Sequence, residues 1–358
     1  MKIAVEVGTR PEIIKMAPVV RACLARGAEL LLLHTGQHYS FDMDGVFFEE
    51  LGLPRPNVNL EVGSGSQAYQ IAAIVRGMEP VIVRERPDVM LVEGDTNSVL
   101  ATALAAQKLG VPVGHVEAGL RSYDRGMPEE INRIHTDHLS DFLFAPTGHS
   151  RKILLGEGVA DPRIHVTGNT VVDEVLRQRD RVDPAPILAR FGLAPGRFAL
   201  ATVHRAENVD HEPRLRGIFE GLARCGRDLD LPVLAALHPR TTKQLESFGV
   251  SLDGAIRALP PLGYLDFLAL HTQAGLMITD SGGLQEEACC LGIPCVTLRD
   301  NTERPESVEA GANVLAGADP EVILDAARTM RERRGGWRNP FGDGKSGERI
   351  VDILLGRR

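Results

Sequence analysis

Short apolar runs of strand length alternate with longer helix-period segments along the whole chain, in two successive sets. The first set is "KIAVEVG" (2–8), "LLLLHTG" (30–36), "DVMLVEGD" (88–95), "VPVGHVEA" (111–118), "FLFAPT" (142–147) and "IHVTG" (164–168). The second is "RFALATVHR" (197–205), "PVLAALHP" (232–239), "AIRALPPL" (255–262), "GLMITDS" (275–281), "PCVTLRD" (294–300) and "NVLAG" (313–317). Parallel strands buried on both faces have this apolar character, and each parallel pair needs a helical crossover. Segments such as "NSVLATALAAQKLG" (97–110), alanine-rich and closed by glycine, supply the crossovers. At 358 residues the chain exceeds one ordinary core. The expected fold is α/β, with two Rossmann-like domains facing across a cleft. The first covers 1–168, with a C-terminal amphipathic helix in 344–358 packing back on it, and the second covers 169–343. The charged, proline-bearing stretch "RQRDRVDPAPILARFGLAPG" has little strand signal and places the hinge in 169–196.

Bulk properties remove several classes of function. A formal charge of −8 provides no basic footprint for nucleic acid or an acidic membrane, although an anionic ligand can still bind locally. Four tyrosines and one tryptophan are too few for a base-stacking platform. The N-terminus lacks the apolar core of a signal peptide, and no apolar run approaches the ~20 residues of a membrane helix. The five cysteines, Cys23, Cys225, Cys289, Cys290 and Cys295, show no CxxC pair and no zinc spacing, which suits a reducing cytosol. His135 and His138 lie in no HExxH-type motif, so no metal is expected. Neither GxGxxG nor a Walker loop is present, so nicotinamide or ATP binding through those motifs is not supported.

Polar residues recur at the ends of the expected strands, where ligands bind in such sheets. In "GTRPEIIKMAP", Arg10 and Lys15 flank a helix start and can grip a phosphate or carboxylate, or be ordinary loop and surface cations. Asp95 in "VEGDTNS" is either a ligand group or the cap of the next helix, with Thr96 and Asn97 as rival caps. Glu117 in "GHVEAGLRS" sits among apolar and small residues, where an unpaired carboxylate is costly; Arg121 is one possible partner. "MPEEINR" opens a helix with Glu129 and Glu130 in its first turn, and Glu129 and Arg133 have the spacing to share a face. His204 and His238 end strands of the second set and are candidate proton or phosphate donors. Tyr264 and Phe267 either flank a flat ring or pack the core, and Arg304 is a candidate phosphate clamp. In "TDSGGLQEEA", Ser281, Gly282 and Gly283 open a helix whose amides suit a diphosphate. Glu287, about one and a half turns on, suits the ribose hydroxyls, while Glu286 reads as a solvated or structural acid.

The stretches "GTRPEIIKMAP", "TGQHY", "GDTNS", "HVEAGLRS", "MPEEINR", "TDHLSD", "VTGN", "HRAEN", "TDSGGLQEEA" and "TERPE" resemble, in order and over nearly the whole chain, the non-hydrolysing UDP-N-acetylglucosamine 2-epimerases. The resemblance implies a glycosyltransferase-B-like fold, interconversion of UDP-GlcNAc and UDP-ManNAc for cell-surface polysaccharides, no metal or nicotinamide, and a cytoplasmic homodimer. It implies that Arg10, His204, Ser281, Gly282, Gly283 and Arg304 hold the diphosphate and Glu287 the ribose. Leu262 and Phe267 would lie near the uracil, and Lys15, Asp95, Glu117, Glu129 and Arg133 around the sugar. Asp95, Glu117 and Glu129 would share the proton transfers, with His204 assisting the diphosphate. Epimerisation of a UDP-2,3-diacetamido-glucuronate and glycosyl transfer are the alternatives such motifs leave open. The chain departs from many bacterial members after "QH", where a glutamine-bearing stretch helps to form an activating substrate site. Phe41, Asp42 and Asp44 occupy that region here, so substrate activation is not carried over.

Overall fold

The computed structural model describes residues 1–36, 41–333 and 335–356, without the side chains of 41–44 and 46. Gln37, His38 and Tyr39 of the "TGQHY" motif, and the side chains of Phe41, Asp42 and Asp44, therefore lie outside the described residues. The chain forms two compact units, Met1–Glu174 with Phe341–Arg358, and Val175–Pro340.

The first unit holds a parallel sheet of β1 (Lys2–Val7), β2 (Glu29–His34), β3 (Val58–Asn59), β4 (Val89–Glu93), β5 (Val113–Val116), β6 (Phe142–Ala145) and β7 (Ile164–Val166). Its order is β3-β2-β1-β4-β5-β6-β7. The second unit repeats the scheme with β8 (Ala199–Val203), β9 (Val233–Leu237), β10 (Ile256–Leu259), β11 (Leu276–Thr279), β12 (Cys295–Thr297) and β13 (Asn313–Leu315). Its order is β10-β9-β8-β11-β12-β13. Both are doubly wound Rossmann-like sheets, and the winding reverses between β1 and β4 and again between β8 and β11. Ligands bind outside the carboxyl ends of strands at such points.

The central strands are buried because helices cover both faces. Ile3, Ala4, Val5 and Val7 of β1 and Val89 to Val92 of β4 are solvent-excluded, each large apolar side chain contributing about 1.5–3 kcal/mol by burial. Helix Arg10–Arg26 starts with Pro11 in its first turn and a Thr9–Glu12 capping box, and ends at Gly27 with φ 71°. Short β3 follows the two prolines of "LPRPN" and has no apolar run to mark it in the sequence.

The first unit extends to Glu174, beyond the boundary at 168 read from the sequence, because three residues after β7 are tied into it. The Asn169 amide donates to the Phe341 carbonyl (2.7 Å), Asp173 accepts from the Gly347 amide (2.8 Å), and Glu174 pairs with Arg21. The C-terminal helix Ser346–Leu354 packs on helix Arg10–Arg26, with Gly347 so close that a Cβ there would lie 2.7 Å from the Pro18 carbonyl carbon. Arg26 adds ion pairs to Glu348 (3.1 Å) and Asp352 (3.0 Å).

Candidate active site

In the first unit, the carboxyl ends of β1, β4 and β5 carry a dense group of acids with one ammonium between them. Lys15, one turn into helix Arg10–Arg26, reaches Glu93 Oε1 at 2.9 Å and Glu117 Oε2 at 2.6 Å. Asn169 Nδ2 donates to the same Glu117 oxygen at 3.1 Å, while Asn169 Oδ1 accepts from the Val171 amide. Glu117 is buried and holds φ +70°, a left-handed conformation that costs a non-glycine residue about 1–3 kcal/mol. Strain, burial and a cationic partner together mark it as more than a packing residue. Its partner is Lys15, not Arg121: the Arg121 guanidinium instead bonds Glu157 at 2.6 and 2.8 Å and Asp137 at 2.7 Å.

Three further acids lie behind this pair. Burial pushes Glu93 well above the ordinary carboxylate range, with Lys15 opposing and Glu117 and Glu12 adding repulsion. Burial likewise raises Glu6 well above that range, reinforced by Glu12 and Glu93. Burial raises Glu12 too, against donors from the Gly8 and Thr9 amides and the Thr96 hydroxyl (2.7 Å).

Asp95 is not the helix cap; Thr96 is, accepting the Val99 amide. The Asp95 carboxylate instead pairs with Arg133 at 2.6 Å. Arg133 also pairs with Glu130 at 2.7 Å, so the acid it bonds on its own helix is Glu130. Glu130 is buried because it accepts the Ser122 and Tyr123 amides, both at 2.9 Å, and so ties the preceding loop to the helix start. Glu129 is half-buried and makes no ion pair among the described residues. The Arg10 guanidinium lies 5.0 Å from the centre of the Phe47 ring.

In the second unit, β8 and β11 end side by side. His204, just past β8, puts Nδ1 2.9 Å from Asp280 Oδ1, with its ring 42% exposed. Asp280 also accepts the His204 and Arg205 amides (3.0 and 2.9 Å) and Asn208 Nδ2 (3.2 Å). Burial alone would raise Asp280, but the His204 ring and these amides hold it below the usual carboxylate range. With Nδ1 donating to Asp280, His204 keeps Nε2 for a ligand.

Helix Gly282–Leu291 begins at the neighbouring strand end, with Ser281 as its N-cap residue. Its first amides are the donors that an anion would take. Arg304 lies over this start: a Cβ on Gly282 would meet Arg304 Nη1 at 2.6 Å, while one on Gly283 would meet nothing within 4 Å. Glycine at 282 is thus the space that admits the guanidinium. Arg304 is set by Glu303 (3.3 Å) and Glu286 (3.4 Å). Glu286 is fully buried, so it is structural and not solvated. Beneath it, buried Arg299 makes a two-pronged pair with Glu303 at 2.8 and 3.0 Å. Further along the helix, Glu287 lies 3.5 Å from His271, whose ring centre is 6.1 Å from that of Phe267. Leu262 and Phe267 are half-buried and pack on the same apolar cluster. Tyr264 is a buried residue, and His238 caps helix Pro239–Ser247 by accepting the Arg240 amide.

Lys15 with Glu117, Asp95 with Arg133, and Gly282 with Arg304 are thus adjacent pairs within their own units. Glu93, Asn169 and Asp280 were missed in the sequence, although all three stand in the strand-end positions that singled out the others.

The family model described as UDP-N-acetylglucosamine 2-epimerase matches residues 21–355. A UDP-N-acetylglucosamine 2-epimerase of Methanocaldococcus jannaschii is 48% identical, over 99% of each chain. One from Methanococcus maripaludis is 47% identical, over 100% of this chain and 99% of the relative. The crystal structure of the M. jannaschii UDP-GlcNAc 2-epimerase in complex with UDP-GlcNAc and UDP superposes with a TM-score of 0.93, covering 99% of this chain and 100% of that one.

Proposed function

This chain belongs to the UDP-N-acetylglucosamine 2-epimerase family, and from that premise we propose that it interconverts UDP-GlcNAc and UDP-ManNAc by inversion at C2. The observation that carries the reading is the strained, buried Glu117 held by Lys15 and Asn169 at the strand ends of the first unit.

The C2 proton of an N-acetyl sugar is not acidic. Cleavage of C1–O, with its electron pair leaving on the diphosphate, gives C1 oxocarbenium character and acidifies C2–H. A carboxylate then takes that proton, and the C2–H electron pair forms the C1–C2 double bond of 2-acetamidoglucal. UDP adds back to C1 while a proton arrives at C2 on the other face. Two faces call for two proton carriers, and Asp95, Glu117 and Glu129 are the carboxylates that share the work. Glu129, without an ion pair among the described residues, keeps its oxygens for the sugar. Lys15 and Arg133 surround that sugar and set the charge of the acids beside them. Arg10, His204, Arg304 and the amides from Ser281 to Gly283 stabilise the departing diphosphate, which is the largest charge to develop. Glu287 takes the ribose, and Leu262 and Phe267 flank the uracil.

The reading needs no metal and no nicotinamide, and it includes a homodimer in the cytoplasm. Support for the dimer is an apolar depression on the first unit lined by Ile71, Leu100, Leu104, Ile134 and Leu139, with His135 and His138 at its side. Sedimentation at micromolar protein tests that part. No helix among the described residues is long and apolar enough to cross a membrane, and the five cysteines are free thiols.

Replacement of Glu117 by Gln tests the core of the proposal. Turnover should fall about 10²–10⁴-fold, with UDP affinity retained. Normal turnover would remove Glu117 from the reaction. Proton NMR with UDP-GlcNAc and with a UDP-2,3-diacetamido-glucuronate identifies the sugar: only the first should be converted.

A further inference from the structure

Glu93 has no part in the reaction as described above, yet it is among the most enclosed charged groups of the first unit. It ends β4, is 1% exposed, and shares the Lys15 ammonium with Glu117. The groups facing it are Lys15 and Glu12 from helix Arg10–Arg26, Glu6 from β1, and Glu117 from the end of β5. One ammonium thus stands among four buried acids.

We propose that Glu93 is a positioning residue for proton transfer: through Lys15 it balances the charge that appears and disappears as Glu117 takes and returns a proton. The inference rests on the epimerase reading and deepens it.

The argument is one of charge count in a dry site. Burial favours the neutral form of Glu93 and the Lys15 ammonium opposes it; held ionised by that ammonium, Glu93 leaves Lys15 between two carboxylates when Glu117 is ionised too. When Glu117 takes the C2 proton, its charge is lost, and in a structure without Glu93 the half-buried ammonium would lose its close counter-ion. Glu93, 2.9 Å away, remains to pair it. Before the transfer, Glu93 acts in the opposite sense. It repels Glu117 and draws on the same ammonium, which makes Glu117 the better base. Asn169 completes the arrangement. Its Oδ1 is held by the Val171 amide, so its Nδ2 must donate, and Glu117 Oε2 takes that donor together with Lys15. A covalent change is needed only at the sugar: C2–H breaks, its electron pair enters the C1–C2 double bond, and the proton moves to Glu117.

The sign of the effect follows. Glu93→Gln keeps the shape but removes the repulsion and leaves Lys15 wholly to Glu117, which becomes a weaker base. The acid limb of the kcat/KM profile should move to lower pH by about one unit or more. The plateau of C2–H exchange into heavy water should fall at least tenfold, with KM nearly unchanged. The parent enzyme is assayed first, and failure of its own epimerisation and exchange would sink the functional reading, not this inference. If the parent reacts, a Glu93→Gln acid limb that stays in place, or an unchanged exchange rate, overturns the proposal. Should Glu93→Gln lose its cooperative melt, Glu93→Asp keeps the charge but withdraws it by one methylene. Its limb should then fall between those expected for parent and Gln, and a limb coincident with the parent overturns the proposal equally.

Discussion

Asp280 is the residue on which the second unit's site is built, and Asp280→Asn tests that most sharply. Its carboxylate, fully excluded from solvent, accepts the His204 amide, the Arg205 amide, Asn208 Nδ2 and His204 Nδ1, all between 2.9 and 3.2 Å. An amide in its place keeps one acceptor and turns an NH2 toward groups that are themselves donors. Charge assistance is lost from each remaining bond, and at least one buried donor is left without an acceptor. At about 1–3 kcal/mol for an unmet buried donor and about 1 kcal/mol for each weakened bond, the cost is about 3–5 kcal/mol. A unit of this size would melt about 6–20 °C lower. His204 would also lose the acceptor that fixes Nδ1–H, so turnover should fall more than the melt alone explains. The pH dependence has a definite sign. Asp280 lies below the usual carboxylate range when folded, so its stabilisation is complete above the unfolded value of about pH 4 and is lost as pH falls through the lower folded value. The gap between parent and Asp280→Asn should therefore hold through neutral pH and close only in strong acid. Urea melts across pH, beside turnover at neutral pH, measure both. An Asp280→Asn variant equal to the parent in stability and turnover would refute the reasoning.

Gly282→Ala should weaken UDP binding about tenfold to a hundredfold, because the new methyl occupies the space of the Arg304 guanidinium and about 1.5–3 kcal/mol of charged hydrogen bonding goes with it; titration calorimetry reads this. Gly283→Ala, whose Cβ meets nothing within 4 Å, should melt like the parent. Glu6→Gln carries the opposite sign from Asp280→Asn. Burial raises the Glu6 carboxyl well above its ordinary range, so ionising it costs stability that grows as pH rises from the unfolded value of about 4.3 toward the raised folded one. The Gln variant should be more stable than the parent at and above neutral pH, by about 1 kcal/mol or about 2–4 °C. The two should converge toward pH 4, and a less stable variant at high pH would contradict the account.

Much of this molecule was legible because strand positions and strand ends leave strong signals. The runs from "KIAVEVG" to "NVLAG" coincide with strands in both units, since a parallel strand buried on two faces needs a nearly unbroken apolar stretch. Two-residue β3 left no such trace. The spacing of Ser281, Gly282 and Gly283 identified a helix start, but nothing in it revealed that Gly282 is small to admit Arg304, more than twenty residues away. The same limit hid the pairings. Spacing four apart matched Glu129 with Arg133, whereas the helix seats Glu130 there because the loop amides of Ser122 and Tyr123 also need an acceptor. Glu93, Asn169 and Asp280 went unremarked because a single buried polar residue gains meaning only from its partners, and these come from other elements, distant in the sequence.

The central claim is that carboxylates of the first unit move a proton at C2 of a UDP-linked N-acetylhexosamine. Incubation with UDP-GlcNAc in heavy water, followed by proton NMR, tests it most directly. The account predicts that UDP-ManNAc forms with deuterium at C2, that label also enters C2 of the recovered substrate, and that Glu117→Gln suppresses both. Product that retains its original C2 hydrogen, or a protein that binds UDP and leaves the sugar unchanged, would contradict it.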